Sequence, residues 1–168
     1  MLTRARLMRK WGFHSLLLRI MSTKTQKKLS PDAIARAELK VRVLRWTNDL
    51  CVALEEQYIR YSLNSARRSY NSSPSDYLRA RIEDLEDGKS TMEFRITTGR
   101  KYHKIIQYDR GRAGSVHAFV DKNTGEVYKP ASWASPAKHV RYDMRIINQR
   151  EAMYANCDWA GGYLYLRG

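Results

Sequence analysis

Four histidines, His14, His103, His117 and His139, are the side chains whose charge changes nearest neutral pH. They are therefore the first candidates for proton transfer or metal binding. They do not cluster in the chain. His117 and Asp121 have the spacing of a pair, but four residues of strand at ~3.3 Å each set them ~13 Å apart, beyond a direct hydrogen bond. His103 can lie across from His117 on a neighbouring strand, and those two with Cys157 would give zinc too few ligands. The plain reading is four ordinary, half-exposed histidines. Neither a GxxxxGK(S/T) phosphate loop nor a GxSxG elbow occurs, and Gly111-Arg112-Ala113-Gly114 is too short for a dinucleotide fingerprint. Glu55-Glu56 and the group Asp84, Glu86 and Asp87 read as solvated helix surface. The acids in the extended half, Glu93, Asp109, Asp121 and Glu126, do not converge as a metal nuclease requires. The expectation is a protein without cofactor or metal that is not an enzyme. The remaining catalytic reading is a small nucleic-acid enzyme using His117 or His103.

Interleaved cations and rings carry a different chemistry. Arg95, Arg100, Lys101, Lys104, Arg110, Arg112, Lys122, Lys129, Lys138 and Arg141 alternate with Tyr102, Tyr108, Phe119, Tyr128, Trp133 and Tyr142. Cations neutralise phosphates, and flat rings stack on unpaired bases. The expected nucleic-acid contacts are Arg100, Lys101, Lys104, Arg110, Arg112, Lys129 and Lys138, with Tyr102 and Trp133 as stacking platforms. The competing reading is structural. Strand aromatics pack across strands, and strand lysines block edge-to-edge aggregation.

The elements that must position these groups are legible in outline. Ser30-Pro31-Asp32 is a helix start: a capping hydroxyl, a proline suited to the first position, and an acid at the positive end of the dipole. Val43, Trp46, Leu50, Leu54, Tyr58 and Tyr61 then recur at three- and four-residue steps, predicting one long helix with an apolar stripe toward the core. Asn64–Ser75, rich in Ser and Asn and holding Pro74, predicts a loop. A short helix follows, with Leu78, Ile82 and Leu85 on one face and Gly88 as its stop.

From Met92 the pattern turns to short extended runs: Glu93–Thr97, Lys101–Tyr108, Val116–Asp121 and Glu126–Ala131. Gly111–Gly114 reads as a loop, and Asn123-Thr124-Gly125 as a tight turn. Short connections force an antiparallel meander. Pro136-Ala137-Lys138 predicts a turn, Val140–Ile146 a strand, Asn148–Cys157 a short helix, and Tyr163-Leu164-Tyr165-Leu166 an edge strand after Gly161-Gly162. The fold class expected is α+β: a long N-terminal helix and a short helix packed on a small antiparallel sheet of four or five strands. One domain spans residues 29–168.

The chain has 168 residues, 43% of them hydrophobic, enough for one core without staples. Its net charge is +14. Residues 1–31 hold eight Lys and Arg and no acid; 31 less 8 leaves 23 cations against 17 acids for the remainder, so over half the excess lies in the head. Residues 1–28 can be a basic leader of presequence type, which would direct the chain to a mitochondrial matrix. They can also be a basic arm on nucleic acid or anionic lipid, or an over-extended start with Met21 as the true beginning. Starting at Met21 would remove Arg4, Arg6, Arg9, Lys10 and Arg19 and leave +9. No apolar run reaches the ~18 residues of a membrane span. Cys51 and Cys157 form no CxxC pair and read as small apolar fillers in a reduced compartment.

Val116–Trp133, VHAFVDKNTGEVYKPASW, followed by PAKHVRYD at 136–143, resembles a small family of tailed-bacteriophage proteins. The similarity is close over residues 115–143 and weaker over Asp158–Tyr165. It implies a viral origin and a place in the host cytoplasm or the virion, and it favours Met21 as the start. It transfers no catalytic or binding residue. Together these features predict a phage accessory protein associated with nucleic acid through its sheet, with other phage or host proteins as further partners. The alternative is a protein-binding or minor virion component whose charge meets no nucleic acid.

Overall fold

A computed structural model describes residues 30–165; the expectations for residues 1–28 lie outside them. The apolar stripe that begins after Pro31 folds as a 42-residue helix, α1 (Pro31–Ser72), with Asp32 in its first turn. Val43, Leu50 and Leu54 of the stripe are fully buried, and Trp46 and Tyr58 pack against the same core. Only Tyr61, the last member, stays exposed.

The helix runs through the loop expected at Asn64–Ser75, which shrinks to residues 73–75. Ser and Asn disfavour a helix interior only weakly, and tertiary contact overrides that preference. Ser62 and Ala66 are buried on one side of this extension. On another, Arg67 donates to Glu86 Oε1 at 2.6 Å rather than standing free in solvent. The second helix, α2 (Asp76–Glu86), is capped by Ser75, whose hydroxyl accepts the Leu78 N–H at 3.2 Å.

Five strands follow in a single antiparallel meander, ordered β1 (Met92–Thr98), β2 (Tyr102–Asp109), β3 (Arg112–Asp121), β4 (Glu126–Pro130) and β5 (Pro136–Asp143). The protein is thus α+β, with a long helix, a short helix and a five-stranded sheet. A third helix, α3 (Ile147–Asn156), and a 3-10 turn at Gly162–Leu164 close the chain. The turn at Asn123–Gly125 is built as the residues require. Asp121 Oδ1 accepts the Asn123 N–H, Asp121 O accepts the Gly125 N–H, and Gly125 sits at φ 74°, where a side chain would be strained.

Three expectations at the loops are corrected. Residues 112–114 of the expected GRAG loop are strand, because Arg110 and Gly111 alone make the turn, at φ 48° and 76°. That two-residue turn matches the twist of the strands it joins. Pro136, Ala137 and Lys138 belong to β5; the turn lies at Ser132–Ser135, where Ser132 supplies the hydrogen bonds a turn needs. Tyr163–Tyr165 do not return to the sheet as an edge strand, because residues 162–164 turn as a 3-10 helix instead.

One face of the sheet meets the helices. Met92, Phe94, Ile105, Ala118, Val120 and Val127 join Val43, Leu50, Cys51 and Leu54 of α1 and Met153 of α3 in one core. Glu55, expected in solvent, reaches from α1 to the edge strand and accepts the Phe94 N–H at 2.8 Å. Removing that carboxylate strands a buried donor, so Glu55→Ala is expected to cost about 1–3 kcal/mol by urea unfolding. An unchanged midpoint would show that the contact carries no stability. Both cysteines are free and buried, and burial pushes the Cys157 thiol up to about 11. No described helix is long and apolar enough to cross a membrane.

Candidate nucleic-acid interface

The described helices pack on one side of the sheet, leaving the opposite side to its own side chains. Residues directly opposite in a ladder share a face. On the outer face Thr97, Lys104, Phe119, Tyr128 and Val140 therefore make one row across all five strands. Arg95, Ile106 and Val116 make the next, and Tyr102 stands opposite Asp121 beyond the first.

Among the described residues the apolar members of this face have long neighbours rather than a helix over them. Phe119 is 2% exposed. The Tyr102 ring meets it edge-on at 5.8 Å, and Lys104 Nζ lies 5.6 Å from its centroid. Tyr102 also meets Tyr128 edge-on at 6.0 Å. Farther along, the Arg95 guanidinium lies 4.4 Å above the Tyr108 ring. The Tyr128 hydroxyl donates to Glu126 Oε2 at 2.8 Å. Burial first, then that carboxylate, raises its pKa.

The loop between β4 and β5 brings Trp133 to this face. Its ring lies 5.3 Å from Lys104 Nζ and is 51% exposed. The loop is tied: Ser132 Oγ accepts the N–H groups of Ala134 and Ser135, both at 3.2 Å, and shares a 2.9 Å hydrogen bond with the Ser135 hydroxyl.

The cations differ in what neutralises them. Arg95 pairs with Glu93 at 2.9 Å, and Lys101 with the buried Asp121 at 3.5 Å. The Tyr102 hydroxyl, then the Asp121 carboxylate, hold the Lys101 ammonium above its ordinary pKa. Among the described residues no ion pair joins Lys104, Arg100, Arg110, Arg112 or Lys138. Arg100 and Lys101 lie at one end of β2, Lys104 within it, and Arg110 and Arg112 beyond its other end. This spread covers roughly 25 Å at the rise of a strand. Arg110 is the sole non-glycine residue with positive φ among those described, at a position where Asn or Gly would be unstrained.

Three expected contacts lie apart from this set. Arg112 stands opposite Asp109, which stands opposite Met92, so the register puts it on the helix side of the sheet. Lys129 alternates with Tyr128, so it points to the other side of β4, where its ammonium sits 3.6 Å from the Tyr165 ring centroid. Lys138 is exposed on the edge strand β5. Arg95 and Tyr108, by contrast, flank the outer face. The alternation of Arg95 with Ile96 and of Tyr108 with Gln107 is the sequence signal that places them there.

Among the described residues the histidines do not form a reactive site; His14 lies outside them. His103 and His117 are 4% and 6% exposed, not half-exposed as expected. His103 faces Val120, not His117, because β3 bulges at His117 and leaves it out of the pairing. His103 Nδ1 lies 2.9 Å from the Thr98 hydroxyl. His117 Nε2 lies 3.1 Å from the Tyr163 hydroxyl, with its ring stacked on Tyr163 and edge-on to Phe94. Burial lowers each to a pKa of about 4, helped at His103 by Lys122 and opposed at His117 by Asp158. The sheet acids are engaged separately: Glu93 with Arg95, Asp109 with the Thr91 hydroxyl, Asp121 with Lys101, Glu126 with Tyr128. Among the described residues no group of three His, Cys, Asp or Glu could hold a metal ion.

A family of unknown function (DUF7717) matches residues 27–166. No curated protein and no solved structure matches the chain.

Proposed function

We propose that this chain, which belongs to the DUF7717 family, is a non-enzymatic accessory protein that binds nucleic acid across the outer face of its sheet. The observation that carries this reading is Lys104. Its stem is partly buried and its ammonium, with no ion pair among the described residues, lies near both Phe119 and the exposed Trp133, at the centre of the only sheet face the described helices leave open. A phosphate would supply the missing charge. Arg100 and Lys101 on one side and Arg110 on the other extend the track, and the left-handed backbone of Arg110 is a local strain of the kind tolerated where a side chain must be aimed. The phage setting rests on the likeness of residues 115–143 to tailed-phage proteins.

The test is equilibrium binding to an oligonucleotide over a range of salt. About four phosphate contacts give log K against log salt a slope near −3, a loss of roughly 50-fold between 50 and 200 mM. Lys104→Gln should weaken binding and flatten that slope by about 0.7. Affinity unchanged through this range, or a slope indifferent to Lys104, would overturn the reading in favour of a protein-binding role.

A further inference from the structure

We infer that the ligand of this face is an unpaired polynucleotide strand, and that Trp133 is the residue on which one of its bases stacks; this rests on the nucleic-acid reading above. Four observations point to a single strand rather than a duplex. Arg100, Lys104 and Arg110, which have no ion pair among the described residues, lie along one strand of the sheet and its two turns, a line rather than the pair of flanking ridges that would straddle a groove. The face between them carries the rings of Tyr102, Tyr128 and Trp133, which suits bases laid open but meets only phosphates on a duplex. No described helix projects from this face to enter a major groove. Finally, Trp133 is more than half exposed, yet its loop is fixed by the Ser132 hydroxyl, so stacking there costs little ordering.

Lys104 marks the position. Its ammonium now occupies the ring face of Trp133 at 5.3 Å. At an exposed site that contact is weaker than base stacking, so an arriving base takes the ring and the ammonium turns to the adjacent phosphate. One side chain thus serves as placeholder in the free protein and as counter-ion in the complex. Ser132 is a positioning residue: it touches no ligand and sets the angle of the indole.

The experiment compares oligo(dT), oligo(rU) and a DNA duplex, each of about 12 nucleotides, a length within the usual site size. It uses the full chain, Trp133→Phe, Trp133→Ala and Ser132→Ala. The expected result is tighter binding of both unpaired strands than of duplex, with tryptophan fluorescence quenching that Trp133→Phe abolishes. Trp133→Ala should weaken unpaired-strand binding by roughly 5- to 150-fold and leave duplex binding unchanged. Ser132→Ala should lower it by a smaller factor that Ser132→Thr restores. The ratio of oligo(dT) to oligo(rU) affinity assigns the sugar. Equal affinity for duplex and single strand, with Trp133→Ala indistinguishable from wild type, would overturn this inference while leaving nucleic-acid binding intact. No binding to any of the three would overturn both. Unchanged unfolding midpoints of the variants exclude misfolding as the cause.

Discussion

Lowering the pH from about 6.5 to about 4 destabilises the fold by ~3 kcal/mol for each of His103 and His117, and replacing His117 by Phe removes one of those two contributions. Both rings are buried and uncharged in the folded protein, with pKa values of about 4 against the ordinary 6.5. A base whose folded pKa is depressed takes up its proton in the unfolded chain first. Between pH 6.5 and 4 the unfolded state therefore binds more protons, and stability falls as pH falls through that window. Above 6.5 the stabilisation is complete, and below 4 these groups add no further loss. A depression of about 2.5 units corresponds to ~3 kcal/mol at ~1.4 kcal/mol per unit. The groups around His117 decide the magnitude. Phe94, Tyr163 and Gly161 exclude water, while Asp158 partly offsets them. Urea unfolding at pH 7, 6, 5 and 4 measures it. Phe keeps the ring contacts, so the change in pH slope, not the stability at pH 7, is the readout. Identical slopes for wild type and His117→Phe would mean that His117 titrates alike in the folded and unfolded chain.

Phe119→Ala should cost about 3–5 kcal/mol, whereas Trp133→Ala, on the same face, should cost under ~0.5 kcal/mol. The contrast follows from how an uncovered sheet face seals itself. Phe119 is 2% exposed although no described helix lies over it, because Tyr102 and Lys104 fold across it and Tyr128 stands opposite it on β4. Deleting its ring opens a cavity beneath Tyr102 and Lys104, and the Tyr102–Tyr128 pair loses its support. Trp133 has half its surface in water and little to lose. A Phe119→Ala cost below ~1 kcal/mol would show that the outer face is not a packed layer, and the rigid aromatic platform would go with it. The two variants also separate stability from binding: the first should unfold the protein more easily, the second should leave its unfolding midpoint in place.

Much of this architecture could be read from residue spacing. The three- and four-residue repeat from Val43 to Tyr58 places α1 and its buried face, because a helix returns to the same side every 3.6 residues whatever surrounds it. The Ser75 cap and the Asn123–Gly125 turn are local devices, set by hydrogen bonds within a few residues, and the turn occurs where the sequence puts it. The misreadings share one cause. Asn64–Ser72 is helical because Ser62 and Ala66 are buried and Arg67 pairs with Glu86, nineteen positions away. Glu55 is no solvent acid because an edge strand thirty-nine positions away offers it an N–H.

The candidate interface divides the same way. That cations and rings alternate through residues 95–133 is a property of the chain, and strand periodicity already assigns Lys104 and Tyr102 to one side. Which side lacks helices, where the bulge at His117 sits, and that the Trp133 loop folds back onto Lys104 all depend on contacts between segments far apart in sequence. A period of two residues sorts side chains into two faces but says nothing about which face water will touch; only the packing of α1 and α3 against one of them decides that.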